Sequence, residues 1–146
     1  DLERTRRNLL EVYRYGGLND PSVYNDDVER RLLVNYQFVY DALALNYQEA
    51  GQDDRVVETL RHYASAMPPG IVPIQGPVRS SFAQILRLSA GRFAEKGQNP
   101  KAAEALELAL RIDPDMAIGG LSRAQILEAI QVLKRGGSPS SPLFRK

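Results

Sequence analysis

The feature that most constrains this chain is an internal repeat. Sliding the sequence by 46 residues sets Tyr40 on Leu86, Ala44 on Ala90, Tyr47 on Phe93 and Gly51-Gln52 on Gly97-Gln98. The match continues with Val56 on Ala102, Leu60 on Leu106, Tyr63 on Ala109 and Pro68 on Pro114. Apolar positions recur at steps of three and four, the spacing of one helix face. Glycine permits the reversal between helices, and proline ends the second one. Each copy therefore predicts helix, turn, helix, stop. Such pairs bury their apolar faces by stacking on neighbours.

The rest of the chain also punctuates as helix. Helices are predicted over 2–14, 26–50, 53–66, 79–96, 99–112 and 122–134. Asp26 with Glu29, and Ser122 with Gln125, have the spacing of capping boxes. Asp53 and Asn99 are expected to cap their helices, with Pro100 in the first turn behind Asn99. Gly16, Gly17 and Pro21 break the chain after the first helix. Tyr13, Tyr15, Tyr24 and Tyr36 are expected to pin that loop to the second. PGIVPIQGPV, residues 69–78, reads as an extended connector. Its Ile71, Val72 and Ile74 have no strand to pair with, so no strand is expected.

The repeated positions resemble the tetratricopeptide repeat over residues 37–70 and 83–116. The resemblance implies an all-α domain spanning 1–136. Two helix-turn-helix pairs would be flanked by N- and C-terminal capping helices, about six helices together, with 137–146 as a flexible tail. The 46-residue period exceeds the family's usual spacing by an insert at 69–82. In such a stack the outward face of each first helix lines a groove. That places Phe38, Asp41, Leu45 and Gln48 beside Arg87 and Glu95 as candidate partner-binding residues. An alternative has the N-terminal helix covering Phe38 and Leu45.

A narrower resemblance rests on Tyr15–Pro21, Arg30–Leu33, Asn35-Tyr36 and Met67–Ile74. These are similar to the C-terminal soluble region of bacterial multi-spanning membrane proteins of the protein O-mannosyltransferase-like glycosyltransferase family. The resemblance implies a membrane-tethered tail on the periplasmic side, whose partner is a protein, a peptide or its parent's own membrane domain. Transferase chemistry would lie in the parent. The alternative is a free-standing repeat scaffold unrelated to glycosylation.

Chemistry within the chain is not expected. There is no cysteine, which removes a thiol nucleophile and thiolate metal ligands. His62 is the one histidine, mid-helix without nucleophile–base context. The paired carboxylates Asp26-Asp27 and Asp53-Asp54 stand at helix starts, where the dipole favours them. No phosphate loop surrounds any Gly-Gly pair. No catalytic residue, metal or cofactor is assigned. A net charge of +1 gives no field to recruit nucleic acid. No apolar run approaches the roughly 20 residues of a membrane helix, so this chain is not expected to insert.

Overall fold

The structure is a computed structural model that describes residues 1–13, 20, 27–115 and 121–137, with backbone alone for 27–30. The described residues are all-helical, without strands. Helix α1 (Leu2–Arg7) continues into a π-helical turn, Asn8–Val12. Then follow α2 (Asp27–Glu49), α3 (Asp53–Ala66), α4 (Gly76–Glu95), α5 (Asn99–Ile112) and α6 (Arg123–Lys134). No helix among the described residues is long and apolar enough to cross a membrane. The expected pinning by Tyr15 and Tyr24, the capping box from Asp26 and the tail from 138 onward lie outside the described residues. Tyr13 and Tyr36 do meet, ring edge to face, at 5.8 Å.

The repeated sequence produces repeated local geometry. Helix α2 ends where Gly51 takes φ 72°, and α4 where Gly97 takes φ 73°. A Cβ at either position would be strained, which is why glycine stands there. The amide of Gly51 donates to the Gln48 carbonyl at 3.1 Å, and that of Gln52 to Tyr47 at 2.9 Å. Gly97 repeats the first bond to Ala94 at 3.0 Å, and Gln98 the second to Phe93 at 2.8 Å. A third copy closes α6. Gly136 has φ 79°, with Gly136 and Gly137 donating to Leu133 and Val132. The repeat alignment assigns glycine turns at Gly51 and Gly97 alone, with Gly136 as the last residue of the domain. It is the end of a third helix of the same kind.

Packing follows the pairs. Helix α2 lies against α3, and α4 against α5. Helix α4 also packs on α2 and α3, α5 on α3, and α6 on α5. Tyr40, Ala44, Tyr47, Val56, Leu60 and Tyr63 are buried, as are Leu86, Ala90, Phe93, Ala102, Leu106 and Ala109. The small residues admit close helix approach, and the large ones fill the space beside them. A buried side chain of the larger size contributes roughly 1.5–3 kcal/mol.

The connector between α3 and α4 belongs to this core. Val72 and Ile74 are buried, and α4 begins at Gly76 with Pro77 in its first turn, earlier than the predicted residue 79. The fully buried Gln37 of α2 holds the segment. Its Nε2 donates to the Pro73 carbonyl at 2.8 Å, and its Oε1 accepts from the Gln75 amide at 3.2 Å. The connector's backbone thus supplies both partners that the buried glutamine amide needs.

Two expected caps are corrected. Asp53 lies inside α3, behind Gln52, and its side chain is 2% exposed. Asn99 lies inside α5, behind Gln98, and donates instead to the Gly137 carbonyl at 3.3 Å. In both turns the residue after the glycine occupies the cap position, which moves the next side chain into the helix. The Ser122–Gln125 capping box of α6 is present in both directions.

Candidate functional site

The N-terminal segment leaves Phe38 and Leu45 uncovered. It packs on the other side of α2, over Tyr40 and Tyr47. Leu9 is buried there, and its carbonyl lies 3.4 Å from the Tyr40 hydroxyl. The Tyr47 hydroxyl reaches Glu3 at 3.4 Å, and Arg6 pairs with Glu58 of α3 at 2.6 Å. Glu58 and Glu104 are equivalent in the 46-residue repeat, and Glu104 likewise pairs with Arg61 of α3. An arginine of the N-terminal segment thus pairs with α3 as an arginine of α3 pairs with α5.

The six candidate residues fall into two groups. Phe38 and Leu45 are 51% and 40% exposed, and Glu95 is exposed too. They are available to a partner. Asp41, Gln48 and Arg87 are half-buried. The Gln48 carbonyl accepts from Arg92 Nη2 at 3.2 Å. Arg87 Nε donates to Gln84 at 3.1 Å. Asp41 has its Oδ1 buried without a hydrogen-bond partner. Burial pushes its carboxyl above the usual carboxylate range, and a hydrogen bond from Ser81 of α4 partly offsets this. Asp41 belongs to the α2–α4 seam more than to an open groove.

Three residues absent from the sequence-derived set extend the open surface. Leu32 is 53% exposed, Val39 is 39% exposed, and Ala42, one turn beyond Val39, is exposed too. Four of the eight large apolar side chains exposed among the described residues stand on α2. The available signal was compositional: residues 32–48 hold one charge, Asp41.

A polar cleft of about 330 Å³ lies between the two repeat turns, lined by Gly51, Gln52, Asp53, Asp54, Arg55, Phe93, Lys96 and Gln98. Its acidic residues are engaged. Arg92 Nε contacts both Asp53 carboxylate oxygens at 2.9 Å, and Lys101 pairs with Asp54 at 2.8 Å. Among the described residues no cluster of three metal-ligating side chains occurs.

His62 is structural in its contacts. Its Nδ1 lies 2.8 Å from the Tyr40 hydroxyl, and the ring also bonds the Leu10 backbone. A neutral ring, accepting from Tyr40 and donating to the Leu10 carbonyl, fits this arrangement. Burial holds its pKa below the usual imidazole range, against the opposing Leu10 bond and the nearby Glu58. The folded state therefore disfavours protonation, so stability is full above the unfolded imidazole pKa and falls as pH drops below it. Glu58, held below the usual carboxylate range by Arg6, adds its own loss only at more acid pH. The urea midpoint is expected to fall between about pH 7.5 and about pH 5.5, where imidazole rather than carboxylate titrates. A His62→Gln variant should lose most of that slope. An equal slope in the variant would remove His62 as its cause.

In comparison with known proteins, no family model, curated protein or solved structure matches this chain.

Proposed function

We propose that the chain is a non-catalytic interaction or assembly module of the tetratricopeptide type. In this reading it is the extramembrane, periplasmic tail of a membrane glycosyltransferase-like protein. The three like helix ends and the 46-residue pairing support the repeat assignment. The motifs at Tyr15–Pro21, Arg30–Leu33 and Met67–Ile74 support the parent. The observation that carries the interaction role is the exposure of Phe38 and Leu45. They stand two turns apart on a helix whose opposite face is fully packed. Large apolar side chains collected on one open face mark a binding surface better than the same residues scattered singly. Phe38 and Leu45 are the anchors, Glu95 lies on the rim, and Asp41, Gln48 and Arg87 hold the helices that present them.

The test is a Phe38→Asp, Leu45→Asp double variant. Its melting temperature should stay close to the parent's, since exposed substitutions change stability by about 0.5 kcal/mol or less each. Binding to the solubilised membrane portion of the parent protein should weaken at least tenfold, about 1.4 kcal/mol. Unchanged binding would sink the assignment of this surface. A large loss of melting temperature would show that the two residues are core instead.

A further inference from the structure

We propose that the open face of α2 is a self-association seam, through which two copies of this chain pair α2 against α2 in antiparallel fashion. The inference rests on the interaction-module reading and names the partner.

A helix face turned to water on a monomer ordinarily carries charge. The face of α2 does not. From residue 32 to residue 48 the one charged side chain is Asp41, half-buried toward α4. The exposed positions are Leu32, Asn35, Phe38, Val39, Ala42, Leu45 and Asn46. Leu32, Asn35, Val39, Ala42 and Asn46 alternate at steps of three and four. That is the narrow stripe by which two helices pack side by side. Phe38 and Leu45 flank the stripe, each one position before it. Ala42 lies within it, where a small side chain lets two helix axes approach. The 23-residue helix is about 34 Å long at 1.5 Å per residue, so the seam has several turns to use.

Charge decides the orientation and argues for a second copy. Charged residues bound the run, Arg31 at its start and Glu49 at its end, both exposed. Antiparallel pairing about the level of Tyr40, midway between them, sets each Arg31 against Glu49 of the other helix. A two-fold axis repeats that match. Parallel pairing would set arginine by arginine and glutamate by glutamate, which is unfavourable. In the antiparallel arrangement Phe38 of one copy falls level with Ala42 of the other, a large side chain against a small one. The face is thus complementary to itself in both shape and sign.

The experiment uses the intact chain. Sedimentation velocity over a wide protein concentration range should show a monomer–dimer equilibrium. Ala42→Glu places a charge on the seam of each copy, level with Phe38 of the other, without touching the core. It should weaken the dimer at least tenfold, while the melting temperature at low concentration matches the parent's. Arg31→Glu should also weaken it, and the exchanged pair Arg31→Glu with Glu49→Arg should restore it. A dimer indifferent to these changes overturns the seam. Benzoylphenylalanine at position 42, activated in the producing cell, separates the remaining outcomes. A cross-link at twice the chain mass supports self-association. A cross-link to a different protein, with the purified chain monomeric, overturns self-association but leaves the interaction-module reading standing. A monomer with no cross-link overturns both.

Discussion

Replacing Phe82 with alanine is expected to cost about 3–5 kcal/mol of folding stability, the range for deleting a buried aromatic side chain. Phe82 is fully buried, and its ring meets that of Tyr63 edge to face at 4.9 Å. Tyr63 in turn meets Tyr40 at 5.3 Å. The three rings link α2, α3 and α4, the elements on either side of the connector. Removing the last ring leaves a cavity at that junction, which rigid helices cannot close. Phe38 is the internal control. It is the same residue type on an exposed surface, so Phe38→Ala should change stability by about 0.5 kcal/mol or less. Urea denaturation of the two variants decides the matter. A Phe82 cost as small as the Phe38 cost would refute the junction.

The second large effect is expected at Arg92. Arg92→Ala strands the Asp53 carboxylate, whose side chain is 2% exposed, without its counter-charge. Breaking such a pair from one side costs roughly 3 kcal/mol or more, because one charge stays buried and unpaired. The contact also joins two repeats. Arg92 sits on α4, Asp53 begins α3, and the Gln48 carbonyl that also accepts from Arg92 ends α2. Arg92→Lys should recover only part of the loss, since an ammonium cannot make the forked contact. Arg61→Ala provides the contrast. Its pair with Glu104 is about half exposed on both sides, so its removal should cost no more than about 1 kcal/mol. Chemical denaturation of the three single variants, with Asp53→Ala and the Asp53→Ala, Arg92→Ala double variant closing a cycle, measures the coupling. A vanishing coupling energy would falsify the clamp.

Much of the helical layout was legible in the sequence because it depends on local rules. Tyr40, Ala44 and Tyr47 announce a buried face by spacing alone, and Gly51 and Gly97 announce turns by their freedom at positive φ. Ser122 and Gln125 announce a helix start because both bonds of the capping box fall within four residues. Other features were illegible because their cause lies across the chain. Asp53 resembles any helix-start carboxylate until Arg92 arrives from 39 positions away. Gln37 resembles a surface glutamine until the connector supplies its two backbone partners. The segment 69–78 read as an extended connector with nothing to pair with. Yet Val72, Ile74 and Val78 within it are buried, because the packed helices offer them a surface.

The candidate surface divides in the same way. Helical spacing alone placed Phe38 and Leu45 opposite Tyr40 and Tyr47. It could not show that the N-terminal segment would pack on the tyrosine side, guided by Leu9, Arg6 and Glu3, and leave Phe38 and Leu45 open. Nor could it separate Glu95, which reaches water, from Asp41, which is folded into the α2–α4 seam. Periodicity and turn chemistry act within a few residues, so the sequence by itself determined the helices, their order and their repeated ends. Burial and charge pairing depend on which surfaces meet, so only the tertiary structure decided which carboxylates are locked away and which face of α2 is left for a partner.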